Sequence, residues 1–211
     1  MIVLAALSVI GYLGYTYSAK YLSPPAATSF VFPTRNPTTM PTGPPKSTPT
    51  TGPPKTVTAG LNHASGSAFP KYTIQVPTSW TVDHKSTPSP PTDTLTITQT
   101  DYQVKIFQGA LGKGLPCLYP GDPDVSGLSS RFTSYFQLSG QAGITYRGGI
   151  AVGTTGTVAT QKLYSVCMKD AKSKLYGQPT MFGQISLSTP IAIDTNMQNQ
   201  MGAMISSLKT P

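Results

Sequence analysis

The sequence predicts an α+β domain, a mainly antiparallel sheet packed by helices, preceded by a transmembrane helix and a disordered Pro/Thr-rich linker. Three observations lead to this reading. Residues 1–17 are uncharged and mostly apolar, residues 21–68 are dense in proline and threonine, and strand-like alternation starts at Phe69 and ends on one amphipathic helical pattern near the C-terminus.

The first run reads MIVLAALSVIGYLGYTY. As a helix it would reach roughly 25 Å, just adequate for a hydrocarbon core of about 30 Å. Tyr12, Tyr15, Tyr17 and Tyr21 gather at one end, beside the first charge, Lys20, as an interfacial aromatic belt would. A cleaved signal peptide is the rival reading. It wants a basic leading region and small residues at −3 and −1, whereas Tyr17-Ser18-Ala19 and Pro25-Ala26-Ala27 carry the wrong residue at −3. A buried core helix is the third reading, and the Pro-rich tract that follows argues against it. Residues 1–20 are therefore read as a retained single-pass anchor in a cytoplasmic membrane. No Lys or Arg precedes the run to fix its orientation, so placing the domain outside the cytoplasm rests on the stalk and the cysteines.

Residues 21–68 hold ten prolines and an imperfect repeat, Thr42-Gly43-Pro44-Pro45-Lys46 and Thr51-Gly52-Pro53-Pro54-Lys55. Such a tract has too few apolar side chains to offset its ordering entropy. It predicts a polyproline-biased spacer of at most about 150 Å, at about 3.1 Å per residue. Docking of a proline-reading partner and O-glycosylation of its threonines are the functional alternatives. Asn36 is no N-glycosylation acceptor, because Pro37 follows it.

Residues 69–211 are expected to form the globular domain. Tyr72-Thr73-Ile74-Gln75-Val76 alternates and stops at Pro77, and Trp80 and Val82 continue the pattern. Residues 95–100 and 102–108 read as two strands around Asp101, either a tight hairpin or one bent strand. Residues 144–152 and 158–169 read as a pair joined by Gly153-Thr154-Thr155-Gly156, and residues 182–187 as the last strand. Successive hairpins imply an antiparallel sheet. Near the C-terminus Asp194 or Thr195 can cap a helix, Thr195-x-x-Gln198 fits a capping box, and Met197, Met201, Met204, Ile205 and Leu208 share one stripe. A Met stripe at this spacing is first a core face, and only secondarily a copper ligand set or an adaptable docking face. A weaker second helix is predicted over residues 128–138, where Leu128, Phe132, Tyr135 and Phe136 fall on one side.

Cys117 and Cys167 stand about fifty residues apart with no CxxC, which excludes zinc-finger and thioredoxin-like spacing. In an outward-facing domain they predict a disulfide; in the cytoplasm they would be two buried thiols. The formal charge is +8, and after Phe69 eleven Lys/Arg stand against seven Asp with no Glu anywhere in the chain. These cations are scattered, and only Lys169, Lys172 and Lys174 cluster, so the basic face of a nucleic-acid binder is lacking. Weak attraction to an anionic envelope polymer or lipid surface fits this charge better.

The stretch Tyr72-Thr73-Ile74-Gln75-Val76-Pro77-Thr78-Ser79-Trp80 resembles the Tyr-x-Ile-x-x-Pro-x-x-Trp opening of PsbP-like domains, and Met204-Ile205-Ser206-Ser207-Leu208 is similar to their closing helix. The resemblance covers about 140 residues from Phe69, with the middle matching only in order of elements, and implies an α/β/α sandwich: an antiparallel sheet between helices. Photosynthetic members assist the oxygen-evolving complex; none of their binding residues carries across, and an anchored stalk departs from their soluble form.

No catalytic apparatus is legible. His63 lies at the end of the stalk and His84 in a Pro/Ser/Thr-rich stretch read as a loop, and no Gly-x-Ser-x-Gly elbow occurs. Gly121-Asp122-Pro123-Asp124 reads as a turn before a paired-carboxylate or calcium site. Gly109-Ala110-Leu111-Gly112-Lys113-Gly114 is too short for a phosphate loop and has Gly114 where Ser or Thr would hold magnesium. Arg131 and Arg147 are the domain's two arginines, suited to bidentate carboxylate or phosphate recognition, or else to a sheet edge. The expectation is a non-enzymatic binding or assembly module outside the cytoplasm, held to the membrane by its N-terminal helix. Its partner would be a protein or envelope polymer and not nucleic acid, with no cofactor and no metal. The alternative is a cell-envelope enzyme with an unrecognised Asp-based site, and a minor-pilin-like subunit is disfavoured by Pro24 and Pro25.

Overall fold

Period-two alternation begins earlier than expected, at Lys55-Thr56-Val57-Thr58-Ala59, and just over half of the described residues lie in strands. The computed structural model describes residues 52–61, 69–111, 114–141, 143–151, 157–158 and 161–211, all within the unit Asn36–Pro211. The expected membrane helix, nearly all of the spacer, His63 and the Gly153–Gly156 loop lie outside the described residues. The described strands are β1 (Lys55–Ala59), β2 (Tyr72–Val76), β3 (Thr81–Pro88), β4 (Pro91–Gln99), β5 (Tyr102–Gln108), β6 (Leu115–Leu118), β7 (Ser130–Ser139), β8 (Thr145–Ala151), β9 (Thr157–Val158), β10 (Gln161–Lys169), β11 (Tyr176–Gln178) and β12 (Gln184–Pro190). One helix, α1 (Thr195–Ser206), follows them. Among the described residues no helix is long and apolar enough to cross a membrane.

Ten strands form one sheet in the order β11-β6-β7-β8-β10-β12-β5-β4-β3, with β9 beside β10. β11 also reaches back to β10 through Met168 and Gly177, so β6, β7, β8, β10 and β11 close into a five-stranded barrel. β1 and β2 form a separate antiparallel ribbon, with Ala59 opposite Tyr72. Thr73 in β2 exchanges backbone bonds with Lys209 beyond α1.

This architecture corrects the expected α+β sandwich: the described fold is mostly β, with a barrel and a single helix. The physical reason lies in how β7, β8 and β10 bury their second face. One face turns Phe136, Leu138, Tyr146, Val166 and Met168 toward the main core. The other is covered by the curl of the sheet onto β6 and β11, enclosing Cys117, Tyr119, Phe132, Cys167 and Tyr176, so no second helix is needed there.

The predicted helix over residues 128–138 is likewise corrected to β7. A register irregularity between Phe132 and Tyr135 puts both rings in the barrel cluster, although they stand three residues apart. Phe136 points to the other core. A bulged strand buried on both faces thus imitates helical spacing, and Leu128, the first residue of the imagined stripe, is 83 % exposed.

In the rest of the sheet one face is apolar and one solvated, as antiparallel sheets commonly are. Leu95 and Ile97 of β4, Val104 and Ile106 of β5 and Ile185 and Leu187 of β12 are buried against Tyr72, Ile74 and Val76 of β2 and Met201, Met204, Ile205 and Leu208 at α1. Each such aliphatic burial stabilises by about 1.5–3 kcal/mol. Asp194 caps α1, its Oδ1 accepting from the Met197 N–H at 2.9 Å; because the cap stands at 194, the Thr195/Gln198 box is not formed. The β4–β5 connection is the tight hairpin, with Gln99 opposite Tyr102 and Thr100 at φ 51°.

Candidate functional site

Alternation along β8 sends Tyr146 into the main core and Arg147 to the opposite face, toward the barrel. Two glycines follow because neighbouring rings lie against the backbone. A Cβ on Gly148 would sit 2.3 Å from the Phe136 ring, and one on Gly149 2.9 Å from that of Phe132. Cross-strand pairing puts Gln137 on one side of Arg147 and Cys167 on the other.

The Arg147 guanidinium rests among three tyrosine rings, with Cζ 4.1 Å from the centroid of Tyr135, 4.3 Å from Tyr176 and 5.2 Å from Tyr119. Such cation–π contacts contribute roughly 0.5–2 kcal/mol each, more when desolvated. Nε donates to Gln137 Oε1 at 3.0 Å and Nη1 to Asp122 Oδ1 at 3.3 Å. Asp122 is itself fixed, because its Oδ2 accepts from the Tyr119 N–H at 3.0 Å in the turn that Gly121 makes with φ 90°. The Tyr176 hydroxyl donates to the same Gln137 oxygen and meets Thr145 Oγ1. The Tyr119 hydroxyl donates to the Arg147 carbonyl at 3.1 Å. Burial drives the Tyr119 phenol far above its usual range; Arg147 pulls it partly back, and Tyr176, Asp122 and Tyr135 push it further.

The Arg147 side chain is 16 % exposed, and among the described residues its Nη2 has no hydrogen-bond partner. Lys169 shares the Tyr176 ring with Arg147, its Nζ 5.1 Å from the centroid, and has no carboxylate within ion-pair distance among the described residues. The arrangement offers a planar donor held among tyrosine rings, with a second cation over one of those rings. This suits oxyanion recognition, not proton transfer.

The other predicted residues are dispersed. Arg131 makes an exposed 2.9 Å pair with Asp124, of little energetic consequence. Asp122 and Asp124 thus face different arginines and form no paired-carboxylate site. Cys117 and Cys167 are disulfide-bonded, with Cα atoms 6.5 Å apart, inside the barrel and fully buried. In the Gly109–Gly114 segment residues 112 and 113 lie outside the described residues. Among the described residues no group of three metal-ligating side chains occurs.

His84 is not in a loop: it stands on β3, where Nε2 lies 2.7 Å from Oδ2 of Asp93, a carboxylate whose side chain is 3 % exposed. The other Asp93 oxygen accepts from the Gly60 N–H. No hydroxyl or thiol is bonded to the imidazole among the described residues, so a base is present without a positioned nucleophile. One apolar cavity of about 20 Å³ lies between α1 and the sheet, lined by Phe136, Leu138, Tyr164, Leu187 and Met201. It has room for about one water and no more.

The sequence singles out Arg147 but does not place Tyr119, Tyr135, Gln137 and Tyr176 around it or Lys169 on the shared Tyr176 ring, since barrel closure alone brings β6, β7, β8, β10 and β11 together. The Asp93–His84 pair was also missed, because the prolines between them disguised a hairpin in which Pro88 pairs with Pro91. No family model, no curated protein and no solved structure matches the chain, so the likeness to PsbP-like domains rests on the residues quoted above alone.

Proposed function

We propose that the chain is a non-enzymatic recognition or assembly module, carried outside the cytoplasm on a membrane-anchored, Pro/Thr-rich stalk. The observation that supports this most is the Cys117–Cys167 disulfide buried in the barrel. Structural disulfides persist in oxidising compartments and are rare where glutathione keeps thiols reduced. The sequence of residues 1–68 supplies the anchor and the reach in this reading, and the rigid arginine at the barrel mouth supplies a recognition surface.

The test is protease shaving of intact source cells, combined with thiol counting on the released fragment with and without reductant. Release of a fragment that shows no free thiol until reduced is the expected result. A protected domain with two free thiols would overturn the topology. A second reading, an envelope enzyme built on an Asp, draws on the buried Asp93 against His84. It requires that Asp93→Asn abolish a hydrolytic activity of the purified chain while leaving its circular dichroism intact.

A further inference from the structure

We infer that the barrel mouth is a binding site for a monovalent oxyanion, a carboxylate or phosphodiester borne by an envelope polymer, which Arg147 and Lys169 engage together. The inference rests on the recognition-module reading above and names the ligand of its site.

Geometry carries it first. Tyr135 and Tyr176 hold the guanidinium on its faces at 4.1 and 4.3 Å, and Gln137 fixes Nε, so the donor edge is oriented before any ligand arrives. Little ordering entropy then remains to be lost on binding. Among the described residues Asp122 is the only carboxylate bonded to Arg147, at a long 3.3 Å, and its second oxygen is committed to the Tyr119 N–H. Among the described residues Nη2 has no hydrogen-bond partner, and an oxyanion can bridge Nη2 and the remaining Nη1 hydrogen in the planar fork that guanidinium offers.

Charge carries it next. Arg147 and Lys169 against Asp122 leave one net positive charge at the mouth, which matches a monoanion better than a phosphate dianion. Asp170, which follows Lys169, is engaged locally, its Oδ1 accepting from the Lys172 and Ser173 N–H groups and the Ser173 hydroxyl. Charge of this kind, in a site half closed to water, is screened less than on an open surface.

The experiment titrates the full chain, purified in detergent, with a polyuronate, a glycerol-phosphate polymer and a neutral glucan of similar length. Saturable binding of at least one anionic probe, weakening with salt and absent for the glucan, is expected, and the arm that binds names the source of the oxyanion. Lys169→Ala should weaken it about fivefold, the effect of losing one partly exposed charge contact. Asp122→Asn should tighten it about threefold, because the competing carboxylate is gone, and a merely structural role for Asp122 does not produce tightening. Equal affinity for neutral and anionic probes, or affinities unchanged within twofold in Lys169→Ala, overturns the inference. This outcome is independent of topology, which the shaving experiment decides separately.

Discussion

Replacing both Cys117 and Cys167 with alanine tests how the barrel is held shut. The bond joins β6 to β10, strands that do not pair with each other. The backbone closure it reinforces is thin: β10 meets β11 at Met168 and Gly177, and β6 meets β7 at Cys117–Ser130 and Leu118–Arg131. With a sequence separation of 50, the chain-entropy estimate gives about 14 cal/mol/K, or about 4 kcal/mol at 25 °C. A domain of ordinary stability, about 5–15 kcal/mol, would lose a large share of its margin. Urea unfolding followed by Trp80 fluorescence reads the main core, since Trp80 is the single tryptophan and 1 % exposed. Near-ultraviolet ellipticity adds the stacked Tyr119–Phe132 pair of the barrel. The double variant should lose about 4 kcal/mol, with the ellipticity falling at lower urea than the fluorescence change. A loss below about 1 kcal/mol, with the two signals still coincident, would refute the view that the disulfide is the main tie of the barrel.

Two further outcomes follow from the geometry. Thr100→Gly should raise stability by about 0.5–1 kcal/mol in the same urea assay, because a β-branched residue at φ 51° carries left-handed strain that glycine escapes at some entropic cost. At alkaline pH the native fold should resist titration of its buried phenols: burial pushes Tyr146 up to about 12, and raises Tyr72 and Tyr119 further, with Asp93 adding to Tyr72. A folded pKa above the ordinary value near 10 means that this stability is present below about pH 10 and is lost as pH rises beyond it. Tyrosinate absorbance at 295 nm should therefore show a late fraction that appears only with loss of ellipticity, and full reversible titration near pH 10 in folded protein would contradict it.

Local pattern was sufficient where one face of an element is buried and the other wet. Tyr72-Thr73-Ile74-Gln75-Val76, the two strand patterns within residues 95–108 and the Met stripe of α1 all have that form, and their period alone identified them, though not whether residues 95–108 form a hairpin or one bent strand. Pattern failed where both faces are buried. In β7 the irregularity near Phe132 and the two opposed cores turned a strand into an apparent helical stripe. It failed again in β3 and β4, whose ends are marked by prolines that read as loop, and this hid the Asp93–His84 contact. At the candidate site the arginine was visible as a residue type, but its surroundings depend on closure between segments as far apart as Tyr119 and Tyr176. No spacing rule encodes such a closure.

The two cores differ in chemistry, and the difference bears on where function can be probed. The main core is largely aliphatic and is closed by α1 and β2. The barrel cluster holds tyrosines, one phenylalanine and a disulfide, with Arg147 packed on the rings in place of an aliphatic side chain. Removing Arg147 takes a cation from three tyrosine rings, of which Tyr176 alone keeps another in Lys169, and takes one of their donors from Gln137 and from Asp122. Loss of binding in Arg147→Ala would therefore be shared between recognition and collapse of the barrel. Lys169 and Asp122 separate the two. Among the described residues the Lys169 side chain makes no hydrogen bond or ion pair, and its ammonium stands over the Tyr176 ring. Asp122→Asn keeps an oxygen for the Tyr119 N–H while removing the charge that competes for Arg147. Opposite changes in anion affinity at these two positions, with unchanged urea midpoints, can come only from the field at the mouth and not from damage to the fold.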